Sequence, residues 1–483
     1  MSVANNERSM SWKCKTLPRK LGIALLTTAV VGCSSLSVNR LFSHYSAGNA
    51  PARAALATGD YSSALSMTGL EEPLLSELEK GRIELLSQQT EQSQAQFDLA
   101  YRHVAELEEQ AVISISGSAT SLGALALNDN ITEYLPPDYE IGYLHLYSAL
   151  NYVQKQDLEG ALIEMRRASR VQERALANRE ASLKRAEDEL KQSGVDPNLG
   201  SVMSRYPDAG DSLKAIQNSY LFYLSALLFE ADGDFNAAYI DISRALAVND
   251  GNPEIIGAAI RIGTKFGARE EVDALQTQYG ERLANSAAIE RLGSDSQQGR
   301  VIIINEVGVV QPMKEWRITI PVYDSRNNTA FYSLALPYYD QGTLVKGLPV
   351  VLDDTELTTK NLTDVNLMAR QSLTEQMPTI LVRQTLRAIT KDRIRKEAAN
   401  GDDAGNALFN VFNTLTEQPD TRSWQSLPAT VHSATAMLTE GEHQVKVGEQ
   451  TLMFNVRAGQ TTLVWLSQQG NNASMWSTNL GRL

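Results

Sequence analysis

Cysteine is nearly absent from this chain. Its 483 residues include two, Cys14 and Cys33, so nothing after residue 33 can form a disulfide, a thiolate zinc site or a cysteine nucleophile. Histidine is scarce too: His44, His103, His145, His432 and His443 make up the set, and no two stand at the spacing of a helical metal pair. A Gly-x-Ser-x-Gly elbow, a phosphate loop ending in Gly-Lys-Ser/Thr and a dinucleotide glycine fingerprint are also missing. Carboxylates abound, yet no stretch singles out two of them as a glycosidase pair. We therefore expect no enzyme, no cofactor and no metal. Basic residues are the minority, 44 against 57 acidic for a net charge of −13. That balance argues against nucleic acid, whose binding rests largely on phosphate neutralisation. The apolar stretch Leu21 to Gly32 has 12 residues, short of the ~20 that a spanning helix needs.

What stands around that stretch is informative. Lys13, Lys15, Arg19 and Lys20 precede it, and Val30-Val31-Gly32 leads into Cys33. A basic head, a short apolar middle and a small residue before the cut read as a secretory signal. With cysteine at the cut, the segment resembles a bacterial lipoprotein signal. The resemblance implies diacylglycerol on the Cys33 sulfur, cleavage before it and acylation of the new amine. Ser34 in place of aspartate implies an outer-membrane, periplasm-facing destination. Residues 1–32 are then the signal peptide and 33–44 an acylated linker. Losing residues 1–32 removes five basic residues and one acid, which leaves 39 basic against 56 acidic, or −17. A surface that acidic adheres poorly to anionic lipid, so the acyl chains on Cys33 are the expected membrane bond.

Residues 45–290 read as helices built on a repeat. Ala149 is followed by Ala161, Met165 and Ala168 at offsets of 12, 16 and 19; Ala226 by Ala238, Ile242 and Ala245; Gly81 by Ser93, Phe97 and Ala100. Small residues let two antiparallel helices approach, while the large one fills the neighbouring hairpin. Gln156-Asp157 and Gly233-Asp234 supply tight turns between the helices. A fainter copy has Ala52, Gly59-Asp60-Tyr61 and Ala64, and a pair around 253–288 caps the stack. The spacing resembles the tetratricopeptide repeat, which implies a concave groove that holds a protein partner. His145, Tyr152, Phe222 and Phe229 are the candidates for that groove or for packing between repeats. Two segments interrupt the repeats. A charged helix runs on through Arg170–Gln192, projecting or pairing, and the uncharged Ala111–Asn128 is either a buried connection, the favoured reading, or a docking segment.

After Ser294–Gly299 the period changes. Val301–Val310, Trp316–Val322 and Ala330–Tyr339 carry strand formers. Thr363–Ala399 is helical, interrupted at Pro378, where a second helix can begin. Ala429–Leu438, Gln444–Val447, Thr451–Val456 and Gln460–Leu466 are further strands. The expected fold is a tetratricopeptide-like α-solenoid over 45–290, followed by an α+β domain over 300–400 and a β-rich region over 401–483 with a small antiparallel sheet. Arg383, Arg387, Lys391 and Arg395 fall four residues apart, a basic stripe that is an anion-binding candidate or a solvated face.

The run Asp420-Thr421-Arg422-Ser423-Trp424-Gln425-Ser426-Leu427-Pro428 resembles a signature of an uncharacterised family of proteobacterial tetratricopeptide-repeat outer-membrane lipoproteins. Gly441-Glu442-His443 and Ala149-Leu150-Asn151-Tyr152 with Asp157 and Ala161 share the likeness. Genes of that family tend to lie beside one for a lipoprotein that activates penicillin-binding proteins, which implies an envelope partner in peptidoglycan synthesis. From the residues alone, Asp420, Arg422 and Trp424 read as a structural clamp ahead of a ligand site. The reading that results is a non-enzymatic envelope scaffold. A lipid or lipopolysaccharide binder using the 383–395 stripe and a glycan-acting envelope enzyme are the alternatives.

Overall fold

The structure, a computed structural model, describes residues 45–68, 72–116, 133–193, 196–197, 202, 206, 213–283, 286–289, 297–323, 329–340, 345–399 and 418–481. The signal segment, Cys33, the 33–44 linker and most of Ala111–Asn128 lie outside the described residues.

Helical hairpins form the first half. They are α1 (Tyr45–Gly48) with α2 (Ala50–Ala57) and α3 (Tyr61–Met67), α4 (Pro73–Leu86) with α5 (Thr90–Ser116), and α6 (Asp138–Gln154) with α7 (Leu158–Ser193). After the short α8 (Leu213–Ile216) come α9 (Ser219–Asp232) with α10 (Phe235–Val248), and α11 (Pro253–Phe266) with α12 (Arg269–Leu283). One turn design recurs. Gly59, Gln156 and Gly233 adopt positive φ, and the aspartate that follows each caps the next helix: Asp60, Asp157 and Asp234 accept the backbone N–H of Ser63, Gly160 and Ala237. The repeat positions behave as their size demands. Ala149, Ala161, Met165, Ala168, Ala226, Ala238, Ile242 and Ala245 are all fully buried. Gly81 lies against the Phe97 ring, 2.6 Å from where a Cβ would stand.

Three sheets follow. A five-stranded sheet has the order β12 (Asn472–Gly481), β11 (Thr461–Gln469), β2 (Gln298–Val307), β8 (Thr430–Thr439) and β7 (Lys360–Asp364). Its β2–β11 pair is parallel and its other pairs are antiparallel. A four-stranded antiparallel sheet runs β10 (Gln450–Val456), β9 (Gly441–Val447), β5 (Val350–Leu352), β6 (Thr355–Leu357). The third joins β1 (Asp196–Pro197), β3 (Lys314–Tyr323) and β4 (Thr329–Tyr338). Helix α13 (Val365–Ala399) packs on α7 and β4, so the long charged helix α7 is paired along part of its length.

The alternation along β2 explains the layering. Ile302 and Ile304, with Leu463, Trp465 and Val431, belong to one core with the helices. Val301 and Ile303, with Val464 and Leu466, belong to a second core with the four-stranded sheet. Side chains on a strand alternate faces, so β2 and β11, sandwiched between two layers, are apolar on both, as strands covered on both sides must be. The outer edge of β7 is covered from the helices: Asn249 and Asn252 donate to Asn361 O at 2.9 and 2.7 Å.

Three expectations are corrected. The boundary at residue 400 does not separate two regions, because β2 takes both its neighbours, β8 and β11, from beyond it. The tail strands divide between two sheets: β9 and β10 join the small antiparallel one, whereas β8, β11 and β12 join a mixed sheet that holds the parallel β2–β11 pair. Pro378 does not start a second helix; α13 runs through it. Leu373 and Met377 on one side of it and Leu381 on the other bury in a single core with Leu334 and Leu336, which offsets the missing N–H and the ring clash.

At the centre of the helix–sheet contact lies a buried ion pair. Arg82 of α4 and Glu306 of β2 have fully buried side chains and bond directly. Arg82 also donates to Ser467 Oγ at 2.8 Å, and its guanidinium lies 4.4 Å from the Tyr147 ring centre. Removing one partner of such a pair leaves a buried charge, whereas removing both does not. Arg82→Met is expected to lower stability by about 3–5 kcal/mol in urea unfolding, and Arg82→Met with Glu306→Leu to recover most of that loss. Equal losses in the single and double variants would show that the pair does not act as a unit.

Candidate functional site

The inner face of the helix stack is filled by the chain itself. Helices α4, α6 and α9 lie between their hairpin partners and the five-stranded sheet, and nearly every residue of α6 and α9 is buried. The four residues singled out for a groove or for repeat packing sit accordingly. Phe222 and Phe229 are buried, under the guanidinium groups of Arg244 and Arg166 at 5.8 and 5.1 Å. His145 is buried, its Nδ1 2.7 Å from Glu164 Oε2 and its ring edge-on to Tyr101. Tyr152 is half-buried over Gly160. All four pack against neighbouring helices.

The 420–428 run is a buried clamp. Trp424 is fully buried among Phe97 and Tyr147. Arg422 holds Asp420 at 2.7 Å and Glu72 at 3.2 Å, 5.5 Å from the Tyr134 ring centre. Two carboxylates bind the loop's backbone: Gln425 N donates to Glu79 at 2.6 Å, and Trp424 N to Glu140 at 2.9 Å. Thr421 and Gln425 meet Ser46 of α1. These groups tie loop, α1, α4 and α6 together and expose no reacting centre.

The basic stripe is broken. Arg383 is exposed, but Arg387 is buried, so it cannot join an exposed anion site. Residues 381–385 turn Leu381, Val382, Gln384 and Thr385 inward, and Arg387 follows the same packed side of α13. Lys391 and Arg395 continue that helix, with side chains outside the described residues. A cleft of about 380 Å³ opens between Val153 and Leu158 at the α6–α7 turn and Asn479–Gly481 of β12. Its one ionisable side chain is Arg457, so it holds no acid–base pair. Among the described residues no three His, Cys, Asp or Glu side chains are placed to hold a metal, and no helix is long and apolar enough to cross a membrane.

Two sets of residues escaped the sequence reading although a signal for each was present. The offset of 77 that relates Ala161 to Ala238 also relates Glu164 to Asp241 and Arg167 to Arg244. Each acid is buried, accepts from the preceding helix (His145 or Ser225) and pairs with the arginine three residues on. The same offset relates Ile163 to Ile240, which are 43% and 45% exposed, each two residues past a fully buried alanine.

His443 of the Gly441-Glu442-His443 run is a second clamp. Its Nδ1 bonds Asp353 and its Nε2 lies 2.8 Å from Thr439 O. Asp353 and Asp354 form the β5–β6 turn with φ of 43° and 66°. Partial burial opposes charge on the ring, but the hydrogen bonds to Asp353 and Thr439 prevail and raise His443 above the ordinary histidine range. Partial burial likewise opposes charge on Asp353, yet Gln444 N–H and His443 hold it below the usual carboxylate value. Filling both ring contacts takes a proton on each nitrogen. A raised pKa contributes stability that is complete below the unfolded value near 6.5 and fades as pH rises through the folded one. The urea midpoint of the native chain should therefore exceed that of His443→Asn by more at pH 5.5 than at pH 8.5. A difference that does not change with pH would mean that the ring holds the turn without its second proton.

Compared with family models, curated proteins and solved structures, the chain matches none.

Proposed function

We propose that the chain is an outer-membrane lipoprotein, acylated at Cys33 and facing the periplasm. In this reading it acts without catalysis as a tetratricopeptide-type interaction module in cell-envelope assembly, with peptidoglycan synthesis the favoured setting. The basic head, short apolar stretch and Val30-Val31-Gly32-Cys33 run support the anchor. The small-residue spacing, with its fully buried alanines, supports the repeat. Because the chain's own sheet occupies the inner face, the partner surface in this proposal is the outer face of the second helices of the hairpins, α5, α7 and α10.

One observation carries that placement. Ile163 and Ile240 occupy the same repeat position on α7 and α10, and both leave a large aliphatic side chain in solvent. Leu99 and Tyr101 of α5 add exposed apolar surface, 37% and 36%. An isolated exposed isoleucine is ordinary, whereas recurrence on successive hairpins fits a surface that a protein partner covers.

A photo-crosslinking residue placed at Ile163 or Ile240 in the acylated protein in cells should capture one envelope protein. Placed at the exposed Glu356 of β6, it should not. With the crosslinking residue moved to the exposed Leu99 of α5, Ile163→Asp with Ile240→Asp should abolish capture without changing the far-UV circular dichroism, and Cys33→Ser should release the protein from the membrane fraction. Capture at Glu356 equal to that at the two isoleucines, or a partner that survives both aspartates, would overturn the placement. A Cys33→Ser form that stays with the membrane would overturn the anchor.

A further inference from the structure

Glu79 and Glu140 stand out among the buried acids because both bind the backbone of one loop, with no ion pair to either among the described residues. They come from different helices, α4 and α6, and grip adjacent amides of one loop, Gln425 N and Trp424 N. Glu140 also accepts from Tyr134 and Tyr139 at 2.6 and 3.0 Å. Other ionisable groups facing the pair are Tyr45 and Arg53 from α1 and α2, and Tyr339 beyond β4. The nearest cation, Arg53, spends its Nη1 on Ser46 O and Gln425 Oε1. A small cavity of about 10 Å³, lined by Asn49, Arg53, Thr68, Glu79 and Ser426 among others, reaches Glu79. That is room for about one water molecule, and so for proton exchange with solvent.

We propose that Glu79 and Glu140 form a proton-operated latch: protonated, they hold the 420–428 loop and α1 seated on α4 and α6, and on ionisation they let that loop lift. The latch takes in α1, the first described helix, since its Ser46 bonds both Thr421 and Gln425.

The sign follows from burial. Two negative charges in one interior repel each other and lack the solvation that water supplies. Burial pushes each carboxyl up to about 7, against hydrogen bonds from Ser426 and Gln425 on Glu79 and from Tyr134, Trp424 and Tyr139 on Glu140. With the loop lifted, both carboxyls reach water and return toward the ordinary value near 4.5. Between those limits lifting releases a proton, so the opening constant rises up to tenfold per pH unit for each carboxyl. Above about 7, closed and open states are ionised alike, and the first of the coupled pair contributes no further change.

Hydrogen–deuterium exchange on the full acylated chain in detergent, corrected for intrinsic rates, tests this. Protection of the Trp424 and Gln425 amides should fall at least tenfold from pH 5 to pH 7, together with that of α1. Protection across β2 should stay constant. In Glu79→Gln with Glu140→Gln the fall should vanish; single Glu140→Gln should show a shallower slope, a second check if the double variant folds poorly. Unchanging protection in the native chain would overturn the latch. So would a parallel fall across β2, since the opening would then be global.

Discussion

A strand buried on both faces has no surface on which to leave a polar group, and β2 is such a strand. Its apolar residues are easily placed, alternately into the helical core and the inter-sheet core. Arg300, Asn305 and Glu306 are not, because each is buried among them. Glu306 is accommodated because α4 delivers Arg82 to it, and Asn305 because Gln468 Nε2 of the parallel strand β11 donates to it at 2.9 Å. These demands couple elements more than 150 residues apart. These contacts tie the helix stack to the central strand pair, in keeping with an interior in which helical and sheet residues share one core.

The same logic explains the clamps. An irregular loop carries backbone N–H groups that need acceptors, and 420–428 is buried where regular pairing does not reach. Glu79 and Glu140 provide the acceptors, and their burial raises both carboxyls to about 7. A neutral acceptor would have held the loop at less cost in charge. Carboxyls held this way respond to protons, a property of the fold independent of what the protein binds.

With the inner face of the hairpins occupied, α5, α7 and α10 still present exposed apolar residues outward: Leu99, Tyr101, Ile163 and Ile240. The repeat leaves its mark there as well: the offset that places alanines in the helical seam places Ile163 and Ile240 in solvent. One helical period thus writes two messages on α7 and α10, a close-packed side and a side left uncovered.

Much of this was legible beforehand. The small-residue spacing marked the hairpins because only small side chains allow that approach, and Gly or Gln followed by Asp marked the turns because capping is local. Strands β2, β3, β4 and β8 to β11 showed as β-branched or alternating runs. Strand β12 did not; its Asn472–Gly481 is mostly polar and becomes a strand by pairing with β11, where Trp476 stacks on Trp465 at 5.7 Å. Pro378 misled because its cost is local whereas the packing that offsets it is not. Arg387, read as part of a basic stripe from Arg383, is buried while Arg383 is exposed, because four-residue spacing tells which residues share a face, never where along the helix that face is covered. The sequence by itself determined the helical hairpins, their turns and the small-residue positions that had to be buried, since these depend on neighbours within a few residues. Only the tertiary structure decided what buries them, because the parallel β2–β11 pair, the sheet against the helices and the Arg82–Glu306 contact join residues that no local pattern relates.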